Sequence, residues 1–154
     1  MSLNLYLLRH AKSDWEANYG HDRERPLARR GEKDSKYIGK HLSAIQQEPE
    51  VILSSSALRA LRTVQIARSS GNWSATIRQL DDLYECSSEQ TLQLIHECAN
   101  NCQRLMLVGH EPTWSELVSK LVGGGHHRFP TAAVARISFA GSNWSEVDFG
   151  KGCL

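Results

Sequence analysis

Apolar and polar residues follow one another along the chain in blocks that predict alternating strands and helices. The first block, residues 3–8, is apolar except at Asn4. A short apolar run without alternation is typical of a strand that is buried on both faces. Residues 51–53 and 105–108 have the same character, and residues 74–80 form a weaker strand candidate.

Segments with apolar residues at helical spacing lie between these strands and predict four helices. Ser54, Ser55 and Ser56 precede the second segment and predict its N-cap, and Ser87 or Ser88 predicts the N-cap of the third. The predicted helices cover about residues 30–45, 57–69, 89–100 and 113–122.

The end of the chain breaks this alternation. Residues 134–139 and 144–147 are strand candidates separated by Gly141, Ser142 and Asn143, a spacing that predicts a hairpin. Four strand–helix pairs followed by a hairpin predict an α/β three-layer sandwich, with a mostly parallel central sheet and helices on both faces. We expect one domain over residues 1–154, and the sequence does not give the strand order.

Composition and charge narrow the classes of function. The chain has 154 residues, of which 40% are hydrophobic and 23% charged, and its net charge is +1. This balance does not favour a nucleic acid or an anionic membrane as partner. No apolar run approaches the roughly 20 residues of a membrane span. The first strand is too short for a signal-peptide core and follows no basic segment, so we expect a cytoplasmic protein.

Cysteine and histidine spacing gives no sign of a metal site. The four cysteines form no Cys-x-x-Cys pair, and Cys98 and Cys102 lie one turn apart in the predicted third helix, where we expect half-buried thiols. His126 and His127 follow three glycines and predict a solvated loop. We therefore expect neither a metal nor another cofactor.

The candidate chemistry lies where strands end. Arg9 and His10 follow the first strand, His110 follows the fourth, and Arg59 lies in the first turn of the helix after the second. The carboxyl ends of parallel strands share one edge of a sheet, where open α/β folds bind ligands. A helix start also attracts anions, so an arginine there is better explained by a ligand than by the dipole.

A basic segment holds one further candidate. Residues 23–40 contain seven Lys and Arg against three Asp and Glu, which for most of them indicates a solvated helix face. Arg25 differs because it precedes Pro26, which favours an extended backbone facing the loop of residues 13–25. Arginine matches phosphate oxygens with a planar fork, and a neutral histidine can attack phosphorus. The set therefore predicts a pocket for a small dianion.

At this point the sequence resembles the histidine phosphatase superfamily, with the phosphoglycerate mutase-like fold, and within it the small SixA-like branch. The resemblance is carried by Leu-Arg-His-Ala at 8–11, Arg-Pro-Leu at 25–27 with Arg-Gly at 30–31, Ser54 to Thr63, Gly-His-Glu-Pro at 109–112, and Pro-Thr-Ala-Ala at 130–133. These motifs span nearly the whole chain in the family's order. Ala57 stands where the family commonly has proline.

The resemblance implies a role for each matching residue. His10 would be the nucleophile that forms a phosphohistidine, and His110 would stabilise the transferring group. Arg9, Arg25 and Arg59 would clamp the phosphoryl oxygens. Arg62 matches no fixed position of the family and is left outside the site.

The sequence offers two candidates for the proton donor. Larger members of the family place a carboxylate over the leaving group. Glu85, after Leu83 and Tyr84, is the first candidate here, and Asp22 in the loop of residues 13–25 is the second. Either residue is also explained as an ordinary solvated carboxylate.

The resemblance implies a metal-independent phosphohydrolase that dephosphorylates phosphohistidine on a signalling protein. A general phosphomonoesterase for small phosphoesters is the first alternative, and a non-catalytic phosphate-binding module is the second. Mutase activity is disfavoured because a short chain leaves little room for a lid that would shield the intermediate from water. Nucleic-acid binding through residues 23–40 is disfavoured because aromatic residues are not interleaved with the charges.

Overall fold

A five-stranded sheet forms the centre of the computed structural model, which describes residues 1–98 and 100–154. The strands lie in the order β3-β2-β4-β1-β5. Strands β1 to β4 run parallel, and β5 pairs antiparallel with β1 at one edge. The strands are β1 (Ser2–Arg9), β2 (Val51–Ser55), β3 (Thr76–Leu80), β4 (Arg104–Gly109) and β5 (Val134–Ala140).

Within the described residues, four α-helices cover the two faces of this sheet, as the sequence predicts. They are α1 (Arg29–Ala44), α2 (Leu58–Gly71), α3 (Ser88–His96) and α4 (Thr113–Val122). Helices α1 and α2 pack into one apolar core, and α3 and α4 pack into a second core on the opposite face. The predicted α/β three-layer sandwich is confirmed.

Strand β1 contributes to both cores. Leu3, Leu5 and Leu7 belong to the core under α3 and α4, whereas Tyr6 and Leu8 belong to the core under α1 and α2. Successive side chains of a strand point to opposite faces, so a strand covered on both faces must be apolar throughout. This explains the uninterrupted apolar run in the sequence.

The strand order brings three strand ends together. Strand β4 lies between β1 and β2, and all three run in the same direction. Their carboxyl ends therefore meet at one edge of the sheet. The chain leaves β1 at His10, β2 at Ser56 and β4 at His110.

The prediction that the serines cap α2 is wrong. Ser54 and Ser55 are fully buried residues of β2, paired with Val108 of β4 and Leu80 of β3. The N-cap of α2 is Ala57, whose N–H donates to the Ser55 hydroxyl over 3.1 Å. Pairing on both sides prolongs β2 by two residues beyond its apolar run and takes the serines into the sheet.

The predicted C-terminal hairpin is also wrong. Residues Trp144–Glu146 form a 3₁₀ turn, because the Trp144 indole is fully buried and donates to the Cys102 carbonyl over 2.6 Å. Cys153 pairs with Ser138 on the outer edge of β5 instead. A buried Trp needs a hydrogen-bond acceptor for its indole N–H. For Trp144 this requirement outweighs the strand propensity of residues 144–147.

Helix α3 ends earlier than predicted. Ser87 caps it through a capping box with Gln90, but the helix stops at His96, so Cys98 and Cys102 lie outside it. Ala99 falls outside the described residues. Asparagine favours turns over helix interiors, and Asn100 accepts a hydrogen bond from the Trp144 backbone N–H over 3.0 Å. Cys102 is buried and Cys98 is half-buried.

Candidate active site

His10 directly follows β1 and is 7% exposed. Its Nδ1 lies 2.8 Å from the Ala11 carbonyl oxygen. A carbonyl only accepts, so Nδ1 carries the proton and Nε2 keeps its lone pair. The Ala11 N–H donates to Thr63 Oγ1 of α2 over 3.0 Å, which ties the residue after the histidine to that helix.

His110 is brought to the same place by β4. The centres of the His10 and His110 rings are 5.3 Å apart. His110 Nε2 lies 2.8 Å from the Ser55 hydroxyl at the end of β2. Position 109, just before His110, requires glycine, because a Cβ at this position would lie 2.6 Å from the Trp114 ring. The glycine therefore lets Trp114 pack under the strand end that carries His110.

Arg9 and the segment of residues 130–133 form a second side of the site. Arg9 Nη1 donates to the Phe129 carbonyl over 2.9 Å, whereas its Nε is buried without a partner. The Ala132 N–H donates to the His10 carbonyl over 3.1 Å, with Ala132 at a φ of 64°. This segment thus fixes the backbone of the histidine, a role that its sequence did not reveal.

Arg25 and Arg59 converge on one carboxylate. Arg25 donates to Asp22 Oδ1 and, over 2.9 Å, to Ser13 Oγ. Arg59 donates to the Asp22 backbone carbonyl over 2.8 Å and to its Oδ2 over 3.0 Å. Tyr84 donates its hydroxyl to Oδ2 over 2.6 Å. Both arginines are at most 6% exposed, and Arg59 Nε is buried without a partner.

These side chains line one cavity of about 340 Å³. Buried donors without partners are rare in folded proteins, and Arg9 Nε and Arg59 Nε are two of them among the described residues. The cavity is lined by Arg9, His10, Lys12, Ser13, Trp15, Asp22, Arg25, Arg59, Tyr84, Glu85, His110, Glu111 and Thr131. Every residue that the sequence singled out for the site lies in this lining, and their roles stay predictions. Arg62 is exposed and donates to Gln65 instead.

The two proton-donor candidates differ in their surroundings. Glu85 is exposed at the rim of the cavity. The hydrogen bond from Tyr84, joined by Arg25 and Arg59, lowers the pKa of Asp22 from 3.8 to about 2. Asp22 is therefore ionised at neutral pH and acts here as an acceptor that holds the arginines.

Sequence reasoning missed four neighbours of the predicted residues. Ser55 contacts His110, Tyr84 contacts both Asp22 and His110, Trp15 lies on Arg25, and Thr63 holds the backbone after His10. Trp15 and Tyr84 are aromatic residues in otherwise polar segments, and this feature of the sequence could have indicated that they belong to the site. The contacts of Ser55 and Thr63 depend on how strands and helices pack.

No metal centre is found in the part of the chain that the structure describes: no three His, Cys, Asp or Glu residues gather as ligands there. His126 is exposed, and His127 lies 3.1 Å from the Gly124 carbonyl in a loop, as expected. Within residues 1–98 and 100–154, no helix has both the length and the apolar character needed to cross a bilayer.

Both histidines are neutral in this environment. Burial is the first cause that lowers the pKa of His10 from 6.5 to about 4 and that of His110 from 6.5 to about 3, and the neighbouring arginines add to it. The unfolded chain binds these protons near pH 6.5, and the folded chain binds them only at the lower values. The fold therefore loses stability as the pH falls from about 6.5 toward 4.

We expect histidine ¹³Cε1 resonances recorded in anion-poor buffer to show two midpoints below about pH 5. Burial beside guanidinium groups opposes the charged imidazolium, which is the physical reason. The variants His10→Ala and His110→Ala assign the two titration curves, because each variant lacks the resonance of the replaced histidine. A midpoint near 6.5 for either residue would contradict the described burial.

The chain matches the model of the histidine phosphatase superfamily (branch 1) over residues 5–98. It is 31% identical to an uncharacterized protein of Mycobacterium tuberculosis, with 96% of each chain covered. Its sequence is 32% identical to that of a candidate phosphohistidine phosphatase, SixA, from Agrobacterium tumefaciens, whose crystal structure is known. That comparison has a TM-score of 0.79 and covers 89% of this chain and 92% of the other.

A more distant structure has the same fold. The protein histidine phosphatase SixA in complex with tungstate is 24% identical, with a TM-score of 0.78. The comparison covers 98% of this chain and 93% of that one.

Proposed function

Because the chain belongs to the histidine phosphatase superfamily, we propose that it is a metal-independent phosphohydrolase that removes phosphoryl groups from phosphohistidine on a signalling protein in the cytoplasm. The reaction passes through a covalent phosphohistidine on His10. The observation that carries the proposal is the hydrogen bond from His10 Nδ1 to the Ala11 carbonyl, which leaves Nε2 unprotonated beside Arg9, Arg25 and Arg59.

The first step is an in-line transfer. The lone pair of His10 Nε2 forms a bond to phosphorus, and the bond from phosphorus to the leaving group breaks with its electron pair on the leaving atom. Arg9, Arg25 and Arg59 bind the phosphoryl oxygens, and their fixed positive charge stabilises the transition state. His110, held by Ser55, completes the pocket at 5.3 Å from the His10 ring.

The second step returns the enzyme to its starting state. Water attacks the phosphorus of the intermediate, the P–N bond breaks, and its electron pair returns to Nε2. Inorganic phosphate is released, and a proton of the attacking water replaces the proton that the leaving group took. The Thr63 hydroxyl and the Ala11 carbonyl keep His10 oriented throughout, since neither contact involves Nε2.

The leaving group receives its proton from Glu85 or from water. Glu85 is the better placed of the two predicted carboxylates, because Asp22 is ionised and bonded to Arg25, Arg59 and Tyr84. A phosphohistidine substrate needs little help, since its imidazole leaving group is readily protonated.

Two of the similar structures support phosphohistidine as the substrate. One is described as a candidate phosphohistidine phosphatase at 32% identity. The other, of similar fold, is described as a protein histidine phosphatase bound to tungstate, an oxyanion with the tetrahedral shape of phosphate. The guanidinium groups of Arg9, Arg25 and Arg59, which line the cavity, are the donors for such an anion here.

The proposal is tested by comparing a histidine-phosphorylated phosphotransfer domain with a phosphoserine peptide and phenyl phosphate. We expect kcat/KM for the phosphohistidine protein to exceed that for phosphoserine by about tenfold or more. A strong chelator in every assay should leave the rates unchanged. The His10→Ala protein is the control for hydrolysis that does not depend on the proposed nucleophile.

Other outcomes identify the alternatives. Comparable rates on all three substrates would instead support a general phosphomonoesterase. Tight phosphate binding without turnover of any substrate would support a phosphate-binding module. Activity lost to the chelator and restored by added metal would contradict the metal-independent mechanism.

A further inference from the structure

Trp15 is the exposed tryptophan of the chain. Its exposed fraction is 64%, whereas Trp73, Trp114 and Trp144 are at most 6% exposed. It lines the cavity that holds His10. A large aromatic surface left in water at the mouth of a pocket is typical of a binding contact.

Trp15 is held in a defined position. The Arg25 guanidinium lies 3.5 Å from the centre of its ring, so this side of the indole is covered. The loop that carries it is tied to the strand-like segment around Leu27: Ser13 forms a bridge with Leu27, and the Asp14 N–H donates to the Pro26 carbonyl over 2.9 Å. The exposed surface of the indole is therefore presented toward solvent by an anchored loop.

A second aromatic residue lines the same cavity. The Tyr84 ring meets the His110 ring edge-on, with centres 5.7 Å apart, and the Arg23 guanidinium lies over the Tyr84 ring at 4.6 Å from its centre. Trp15 and Tyr84 thus line the same cavity as His10 and the arginines. Among the aromatic pair, only Trp15 has most of its surface free.

We propose that Trp15 binds the leaving group of the substrate and selects phosphoryl groups attached to a planar aromatic or heteroaromatic ring, such as an aryl phosphate or the imidazole of phosphohistidine. This inference rests on the proposed function. Arg25 contacts the indole and also lies in the proposed phosphoryl clamp, so the indole borders the part of the cavity proposed for the phosphoryl group. Stacking favours flat rings over alkyl chains there.

Kinetics on matched substrates test the selection. We expect Trp15→Leu to lower kcat/KM for phenyl phosphate about tenfold, and that for ethyl phosphate by less than threefold. Trp15→Phe should restore most of the preference, because it keeps an aromatic face. Equal losses on both substrates would show that Trp15 only positions Arg25, and would overturn the inference while leaving the phosphatase proposal standing.

Binding without turnover gives a second, independent readout. Because the other three tryptophans are buried, acrylamide quenching of the intrinsic fluorescence reports mainly on Trp15. We expect phenylphosphonate to protect this fluorescence at concentrations at which methylphosphonate does not. Equal protection, or none from either, would overturn the inference. Selective protection in a protein that hydrolyses no substrate would support the aromatic contact and contradict the proposed function.

Discussion

Replacing His10 with alanine is expected to abolish turnover, with a loss on the order of 10⁴-fold or more, the scale observed when a covalent nucleophile is removed. No other imidazole in the cavity replaces it, because His110 Nε2 is engaged with Ser55 at 2.8 Å. The fold should persist, since the hydrogen bond that the structure describes for the His10 ring is made to the adjacent residue. Thermal unfolding of the variant checks this.

The same experiment locates the covalent intermediate. P–N phosphate is stable in base and labile in acid, unlike a serine ester, so rapid quenching into base during turnover should trap label on the peptide that contains Arg9 and His10. His110→Ala should slow the reaction and leave that peptide as the labelled one. Label on His110, or near-normal turnover by His10→Ala, would show that the assigned roles are wrong.

Arg59→Ala is expected to lower kcat/KM more than a hundredfold, as when a donor to developing negative charge is removed. Arg62→Ala is the matched control and should change it less than about threefold. Both residues lie in α2, but Arg59 is 6% exposed and bonded to Asp22, whereas Arg62 is exposed and bonded to Gln65.

Removing a buried arginine also leaves Asp22 with one partner fewer, so folding must be measured beside activity. Arg59→Lys keeps the charge but loses the fork, and we expect it to fold while remaining well below wild-type activity. Equal losses in Arg59→Ala and Arg62→Ala, with both proteins folded, would place the phosphoryl clamp elsewhere.

The alternation of strands and helices follows from the pattern of apolar and polar residues alone. Residues 3–8 must form a doubly buried strand because Leu3, Leu5 and Leu7 enter one core while Tyr6 and Leu8 enter the other. It also placed His10 and His110 at strand ends and Arg59 at a helix start. These are local properties, set by apolar runs and by the residues that interrupt them.

Other features depend on partners that are distant in the sequence and meet only in the folded chain. Ser54 and Ser55 belong to β2 because β3 and β4 pair with them, and Trp144 leaves the predicted hairpin because Cys102 accepts its N–H. A sequence window contains no information about such partners.

The active-site residues also divide into those that sequence motifs predicted and those that only packing brought into the site. The motifs named the histidines and arginines, but only packing brought Asp22 onto Arg25 and Arg59, or laid Arg25 against Trp15. Strand order was open in the sequence because an apolar run shows that both faces of a strand are covered, but not which strands lie beside it. Placing β4 between β1 and β2 is what brings His110 within 5.3 Å of His10. The histidines and arginines of the site could therefore be identified from local motifs. Their proximity in the folded protein depends on the order of the strands.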